Sequence, residues 1–180
     1  MGMFRMDHMT NVGYLRNGSN INNKKWTSDK SALAFSAVKE GIPEAVIADL
    51  DESGSTDLLD DYKTVVKNLR LIKSPGKGVW QKQDKRWSEA AVAVDDKGRI
   101  LFLFCRSPLS IYEFNQMVLS LPLGVIRACM LRVTRRQAFL CIVMAFNWIS
   151  VAAMKPASIQ TTPIQTNGRF PMCSVFEWQS

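Results

Sequence analysis

Four features of this sequence have residue types that could do chemistry. Cys105, Cys129, Cys141 and Cys173 show no C-x-x-C spacing and are accompanied by a single histidine, His8, so they do not supply the paired ligands of a structural zinc site. Asp49-Leu50-Asp51-Glu52-Ser53-Gly54-Ser55 sets carboxylates beside a glycine, as calcium loops do. It lacks the D-x-D-x-D-G order and the closing glutamate, and reads as a solvated turn. No metal site is expected. Ser74-Pro75-Gly76-Lys77-Gly78 brings two glycines to a place where a phosphate could be cradled, but without P-loop spacing or an evident following helix it reads as a turn. Trp80 and Trp87 flank a Lys-, Gln- and Asp-rich connection; they could stack a sugar or a base, and read more simply as core or rim residues.

The elements that position these residues are mainly strands. Asn17-Gly18 is a hairpin signal, entered from Val12-Gly13-Tyr14-Leu15-Arg16 and left through Ile21 and Asn22. Ser31 to Val38 alternates apolar residues, and Glu44 to Leu50 carries Ala45, Val46, Ile47 and Leu50, so both are predicted strands. Tyr62 to Ile72 fits one strand with cationic residues on one side. Ala90 to Val94 and Ile100 to Cys105 are apolar runs separated by Asp95-Asp96-Lys97-Gly98-Arg99, which predicts a buried hairpin over 88–105. Ser110 and Glu113 have capping-box spacing, and Phe114, Met117, Val118 and Leu121 recur at helical spacing up to Pro122. A helix laid against the hairpin follows, and the fold class is α+β: a mixed or antiparallel sheet with a packed helix and an irregular or apolar-helical tail.

At 180 residues, 47% apolar and 22% charged, the chain suits about one folded domain and is neither disordered nor low-complexity. Its charge of +7 raises nucleic acid or an anionic membrane as partners. Residues 1–129, however, carry 18 basic and 15 acidic side chains, a net of +3, whereas residues 130–180 carry 5 and 1, a net of +4. The basicity sits disproportionately in the tail, and no nucleic-acid face is expected. Met1 to His8 contains no apolar signal core, so the chain as written is expected in the cytosol.

Arg86 to Phe104, then Ser110 to Phe114, then Leu121-Pro122-Leu123-Gly124 resemble the core of the phosphodiester glycosidase family. Gly2-Met3-Phe4 is similar to the end of an upstream asparagine-glycine-phenylalanine motif of that family, and Asn11-Val12-Gly13-Tyr14 to the strand after it. The resemblance covers residues 2 to about 129 and implies a hydrolase that cleaves the bond between a sugar's anomeric carbon and a phosphodiester. It implies a carbohydrate phosphodiester as partner, leaves the cofactor open, and implies a secreted or periplasmic, bacterial-type setting for intact relatives.

The sequence departs from the family in three places. It opens inside the first motif. Where many members carry an arginine before the first apolar strand, alignment on Gly98 puts Glu89, with Arg86 three residues earlier. After the helix, the family's acidic, glycine-rich signature does not follow Cys129; Met130-Leu131-Arg132-Val133-Thr134-Arg135-Arg136 does. Permitted codons for Met130 to Phe139, read from each third base, give Val-Glu-Gly-Asp-Pro-Glu-Ala-Ser-Leu, close to the missing signature. The expected organisation is therefore a partial family domain at 1–129 and an aberrant, frame-shifted tail at 130–180. Read literally, Ala138 to Met154 is an uncharged run of 17 residues flanked by Arg136 and Lys155. That approaches the shortest membrane-spanning helices, but Asn147, Trp148 and Ser150 weaken it, and no membrane span is expected.

Within this frame Arg86, Ser88, Glu89 and Arg106 are the candidate site residues, because they sit at the edges of the two central strands. Glu89 has the chemistry for proton transfer, and Arg86 or Arg106 for clamping a phosphate, since a guanidinium matches oxyanions bidentately. With the acidic signature absent, the chain is expected to be inactive as written. The alternative is a non-catalytic basic binding or membrane-tethered protein.

Overall fold

A computed structural model of the chain describes residues 6–7 and 9–131, together with the backbone of 161–163 and 173–178. In chain order the elements are β1 (Leu15–Asn17), β2 (Asn20–Asn23), β3 (Ser31–Ala37), β4 (Ala45–Asp49), α1 (Ser55–Asp60), β5 (Tyr62–Asn68), β6 (Arg70–Lys73) and β7 (Lys77–Gly78). They continue with β8 (Trp87–Asp95), β9 (Ile100–Leu109), α2 (Ile111–Ser120), β10 (Val125–Met130), β11 (Thr161–Pro163) and β12 (Cys173–Trp178). Two antiparallel sheets result, in the orders β2-β1-β5-β3-β4 and β11-β12-β9-β8-β10-β6-β7. The architecture is mostly antiparallel sheet with two short helices, which agrees with α+β while giving the helices a smaller share than the sequence implied.

The β8–β9 hairpin forms where its pattern predicts. The buried Asp95 organises its turn: Oδ1 accepts from the backbone N–H groups of Lys97 (3.0 Å) and Arg99 (2.8 Å), and Oδ2 from Arg99 Nε (2.6 Å). Gly98 there has φ of 79°, in the left-handed region that glycine tolerates. One face of the hairpin carries Ala91, Ala93, Leu101 and Leu103 against Phe114, Met117 and Val118 of α2. The other carries Ala90, Val92, Val94, Ile100 and Phe102 against Leu33, Phe35, Ile47 and Val66 of the first sheet. Helix α2 begins with the expected capping box: the Glu113 N–H donates to Ser110 Oγ (3.2 Å), and the Ser110 N–H donates to Glu113 Oε2 (2.9 Å).

Three expectations are corrected. Tyr62 to Ile72 is two strands in two sheets, β5 pairing with β1 and β3 and β6 with β10 and β7, so the chain changes sheet at Leu69. Both halves are buried apolar segments, and alternation runs through the crossover without marking it. The acidic stretch 49–55 is no freely solvated turn. Asp49 is buried and pairs with Arg70 at 2.5 Å, Asp51 meets the same guanidinium at 2.8 Å, and α1 starts at Ser55. The tail is neither irregular nor helical at 161–163 and 173–178, which are strands. β12 pairs along β9 from Cys173↔Cys105 to Trp178↔Ile100, satisfying a sheet edge that otherwise offers unpaired backbone groups. That register sets Cys173 opposite Cys105, which is disulfide-bonded, while Cys129 is a buried free thiol whose pKa burial pushes up to about 12. Ala138 to Met154 lies outside the described residues, among which no helix is long and apolar enough to cross a membrane.

Phe102 is 3% exposed and belongs to the layer between the sheets. Phe102→Ala is expected to lower the unfolding free energy by about 3–5 kcal/mol, the usual cost of emptying a packed aromatic site. Denaturant unfolding monitored by tryptophan fluorescence checks this, and a loss below about 1 kcal/mol would contradict close packing of the two sheets there.

Candidate functional site

The open end of the β8–β9 hairpin holds all four residues singled out from the sequence. Trp87 pairs with Leu109 and Glu89 with Cys105, so Arg106, Ser107 and Pro108 stand against Ser88 alone. The result is a bulge on β9, at a point where Pro108 has no N–H to give the ladder. Ser88 Oγ donates to the Arg106 carbonyl across it (3.2 Å). Arg106 is exposed and has no ion-pair partner among the described residues.

Arg86 does not join Ser88 or Arg106. Its Nη2 meets Glu113 Oε1 at 2.5 Å, bridging the start of β8 to the first turn of α2. The Glu113 carboxyl is held below its ordinary pKa, first by the Ser110 N–H, then by the Ser110 hydroxyl, with Arg86 adding attraction. Glu89 is 3% exposed, on the α2-facing side of β8 with Ala91 and Ala93. The structure thus joins Ser88 to Arg106, diverts Arg86 to Glu113, and buries Glu89.

A second group of residues escaped the sequence reading. Where β5 hands over to β6, Val12, Gly13, Asp29, Lys67, Asn68, Leu69 and Met130 line a small cleft of about 20 Å3, room for about one water. Lys67 is only 4% exposed; its Nζ donates to the Thr27 carbonyl and lies 4.2 Å from the ring centre of Trp26. Trp26 in turn meets Tyr14 edge-on, the ring centres 5.1 Å apart. Asp29 Oδ2 accepts from Thr27 Oγ1 (2.5 Å). Gly13 must be small here, since a Cβ would sit 3.2 Å from Thr27 Oγ1 and 3.7 Å from Asp29 Oδ2.

The cleft adjoins the first group. Met130, part of its wall, pairs with Ala91 on β8, two residues from Glu89 on the same side of the strand, a step of about 7 Å. The one sequence signal for the cleft was a lysine and an asparagine, Lys67-Asn68, inside an otherwise apolar run. No group of three or more His, Cys, Asp or Glu suited to a metal occurs among the described residues.

The Lys67 amine is held below its ordinary pKa, chiefly by burial; Asp29 opposes that shift and Lys30 adds to it. Because the folded value lies below the unfolded one, the cost of burying the charge is present at neutral pH and fades as pH rises through the folded pKa. Asp29→Asn removes the opposing carboxylate, so Lys67 should titrate lower still. Side-chain NMR titration reads this directly, and an unmoved Lys67 would show that Asp29 does not act on it.

The comparisons bear on which chemistry this end of the molecule serves. No curated protein and no solved structure matches the chain. The family model for phosphodiester glycosidases matches residues 1–131, nearly three quarters of the sequence, and takes in the hairpin, the capped helix and every cleft residue named above. By that match, the chain belongs to the phosphodiester glycosidase family.

Proposed function

We propose that residues 1–129 recognise a sugar joined through its anomeric carbon to a phosphodiester, and that the 180-residue chain turns this substrate over little or not at all. The observation that carries the reading is the family match across residues 1–131, which covers all four candidate site residues. The family is hydrolase-like. In the reaction water adds at the anomeric carbon, the bond from that carbon to the bridging oxygen breaks, and the phosphate leaves with that oxygen as a monoester of the other alcohol. One group must stabilise the departing anion, and a carboxylate must take the proton of the water or shield the developing positive charge on the sugar.

The residues here divide those tasks unevenly. Arg106, exposed at the β9 bulge, is free to meet a phosphate, and Ser88 holds the strand that carries it. Arg86 joins it only by releasing Glu113. Glu89, buried on β8 one residue from Ser88, is the carboxylate assigned to proton transfer. What limits turnover is the sequence after Cys129, where arginines replace the acidic, glycine-rich signature of the intact relatives. One buried carboxylate without a second is a poor engine for a reaction that uses two.

The test is an assay of N-acetylglucosamine release from its 1-phosphodiester by the full chain, beside binding of the same compound by calorimetry. Binding without release above background is expected, weakened about tenfold by Arg106→Ala, the loss typical of one charge-assisted contact. Robust release by residues 1–180 would overturn the claim of incompleteness, and absence of binding would overturn the recognition.

A further inference from the structure

Asn17-Gly18 sets an asparagine carboxamide before the residue that least crowds its own backbone nitrogen, and the fold puts the pair at the start of a surface turn. β1 ends at Asn17 and β2 begins at Asn20, the two pairing across Gly18 and Ser19. Gly18 has φ of 61°, the left-handed geometry that so short a hairpin turn asks of its first central residue. Two contacts with β5 hold the pair in place. The Gly18 N–H donates to the Lys63 carbonyl at 2.8 Å, and Asn17 Oδ1 accepts from Thr64 Oγ1 at 3.1 Å. Beyond them the hairpin hangs at a sheet margin, with β2 outermost and mostly exposed.

An asparagine followed by glycine can lose ammonia without an enzyme, one reason asparagine is counted among the thermolabile residues. The glycine nitrogen gives up its proton and attacks the side-chain carbonyl carbon. A new C–N bond forms, the carboxamide C–N bond breaks, and ammonia departs with the proton, leaving a five-membered imide. Water then opens the ring at either carbonyl to give aspartate or isoaspartate, so water enters and ammonia leaves. Here the attacking nitrogen is committed to Lys63 and the carboxamide to Thr64, and both bonds have to part before the ring can close. Arg16 controls that parting. Its Nη2 donates to the carbonyls of Leu59 (2.6 Å) and Tyr62 (3.0 Å) and its Nη1 meets Asp60 at 3.4 Å, anchoring β1 where α1 leads into β5.

We propose that Asn17 is a site of spontaneous deamidation that the pairing of β1 with β5 keeps closed, and that opens when the β1–β2 hairpin lifts off β5. The conversion is one-way. Isoaspartate adds a main-chain carbon at the mouth of the turn and displaces the Asn17↔Asn20 and Arg16↔Ile21 pairings, so a hairpin that has opened and aged does not regain its register. Lys63, whose Cε lies 3.4 Å from where a Cβ on Gly18 would stand, is placed beside the new carboxylate. None of this draws on the sugar-phosphodiester reading.

The full chain is aged at physiological pH and temperature, folded in buffer and unfolded in urea, and conversion of Asn17 is read by peptide mass spectrometry. Asn167-Gly168, the second such pair in the sequence, is mapped alongside to show that the chemistry runs in urea. Folding is expected to slow conversion at Asn17 by about tenfold or more, and hydrogen-exchange protection of the Gly18 amide should match that slowing to within about threefold, because one opening frees the same N–H for both. Arg16→Ala removes the anchor without touching the reacting atoms and should speed conversion in the folded chain by about threefold or more. Equal rates folded and unfolded would overturn the gate, as would a larger mismatch between protection and slowing, or an unchanged rate in folded Arg16→Ala. If Arg16→Ala does not fold, exchange against conversion in the unaltered chain decides alone. Conversion in urea at Asn167 but not at Asn17 would overturn the site itself.

Discussion

Burial of the β8–β9 ribbon on both faces is the constraint from which the layers of this molecule follow, because a strand pair without a solvent face needs a partner on each side. Ala91, Val92 and Ala93 are fully buried in succession, the continuous apolar pattern of a central strand. On one side the alanines are small, so bulk comes from Phe114, Met117 and Val118 of α2. On the other, Val92 and Phe102 meet side chains of the first sheet, whose far face packs Ala32, Ala34 and Ala48 with Leu59 of α1. Polar groups take the positions that this stacking leaves. Arg70 and Arg127 reach from the second sheet to Asp49, Asp51 and Glu52 beside the first, forming an ionic seam along the edge of the apolar layer.

The same stacking explains why the polar residues of interest lie in two places. At the open end of the hairpin the ladder is interrupted by a bulge, and side chains such as Arg106 escape the layers. At the crossover from β5 to β6 the chain leaves one sheet for the other, and Lys67 and Asn68 end a buried strand opposite Ala32 and Ser31 of β3, with the Lys67 amine over the Trp26 ring. Both interruptions adjoin β8: the bulge lies beside Glu89, and Met130, at the crossover, pairs with Ala91.

How much was legible in the sequence depended on whether the cause was local. The hairpin over 88–105 and helix α2 were legible because turn chemistry, alternation and a capping box all fall within a few residues of what they determine. The split of Tyr62 to Ile72 was not. Val65-Val66 and Leu71-Ile72 are equally apolar, and only the tertiary partners on either side of Leu69 distinguish them. The cleft was invisible for the same reason: Gly13, Asp29, Lys67 and Met130 come from four separated segments, and no spacing rule joins them. Arg86 was placed at the right end of the hairpin, but its ion pair with Glu113 was not legible, since Glu113 was read only as half of a cap. β12 fell within a segment whose composition argued against any specific structure, yet its backbone follows the edge that β9 presents.

The passage through Leu69 also has a mechanical side. β5 ends at Asn68 and β6 begins at Arg70, so one residue spans from one sheet to the other. An extended residue covers at most about 3.6 Å, so this tether has no slack. It is pinned at its midpoint as well, the Leu69 carbonyl accepting from the Met130 N–H at 2.9 Å. Sliding one sheet over the other along the strand direction would load a single backbone segment at once, rather than spreading the strain through side chains. The pair of sheets should therefore respond to shear as one stiff plate near this corner and yield first at the far edges, around β2 and β11.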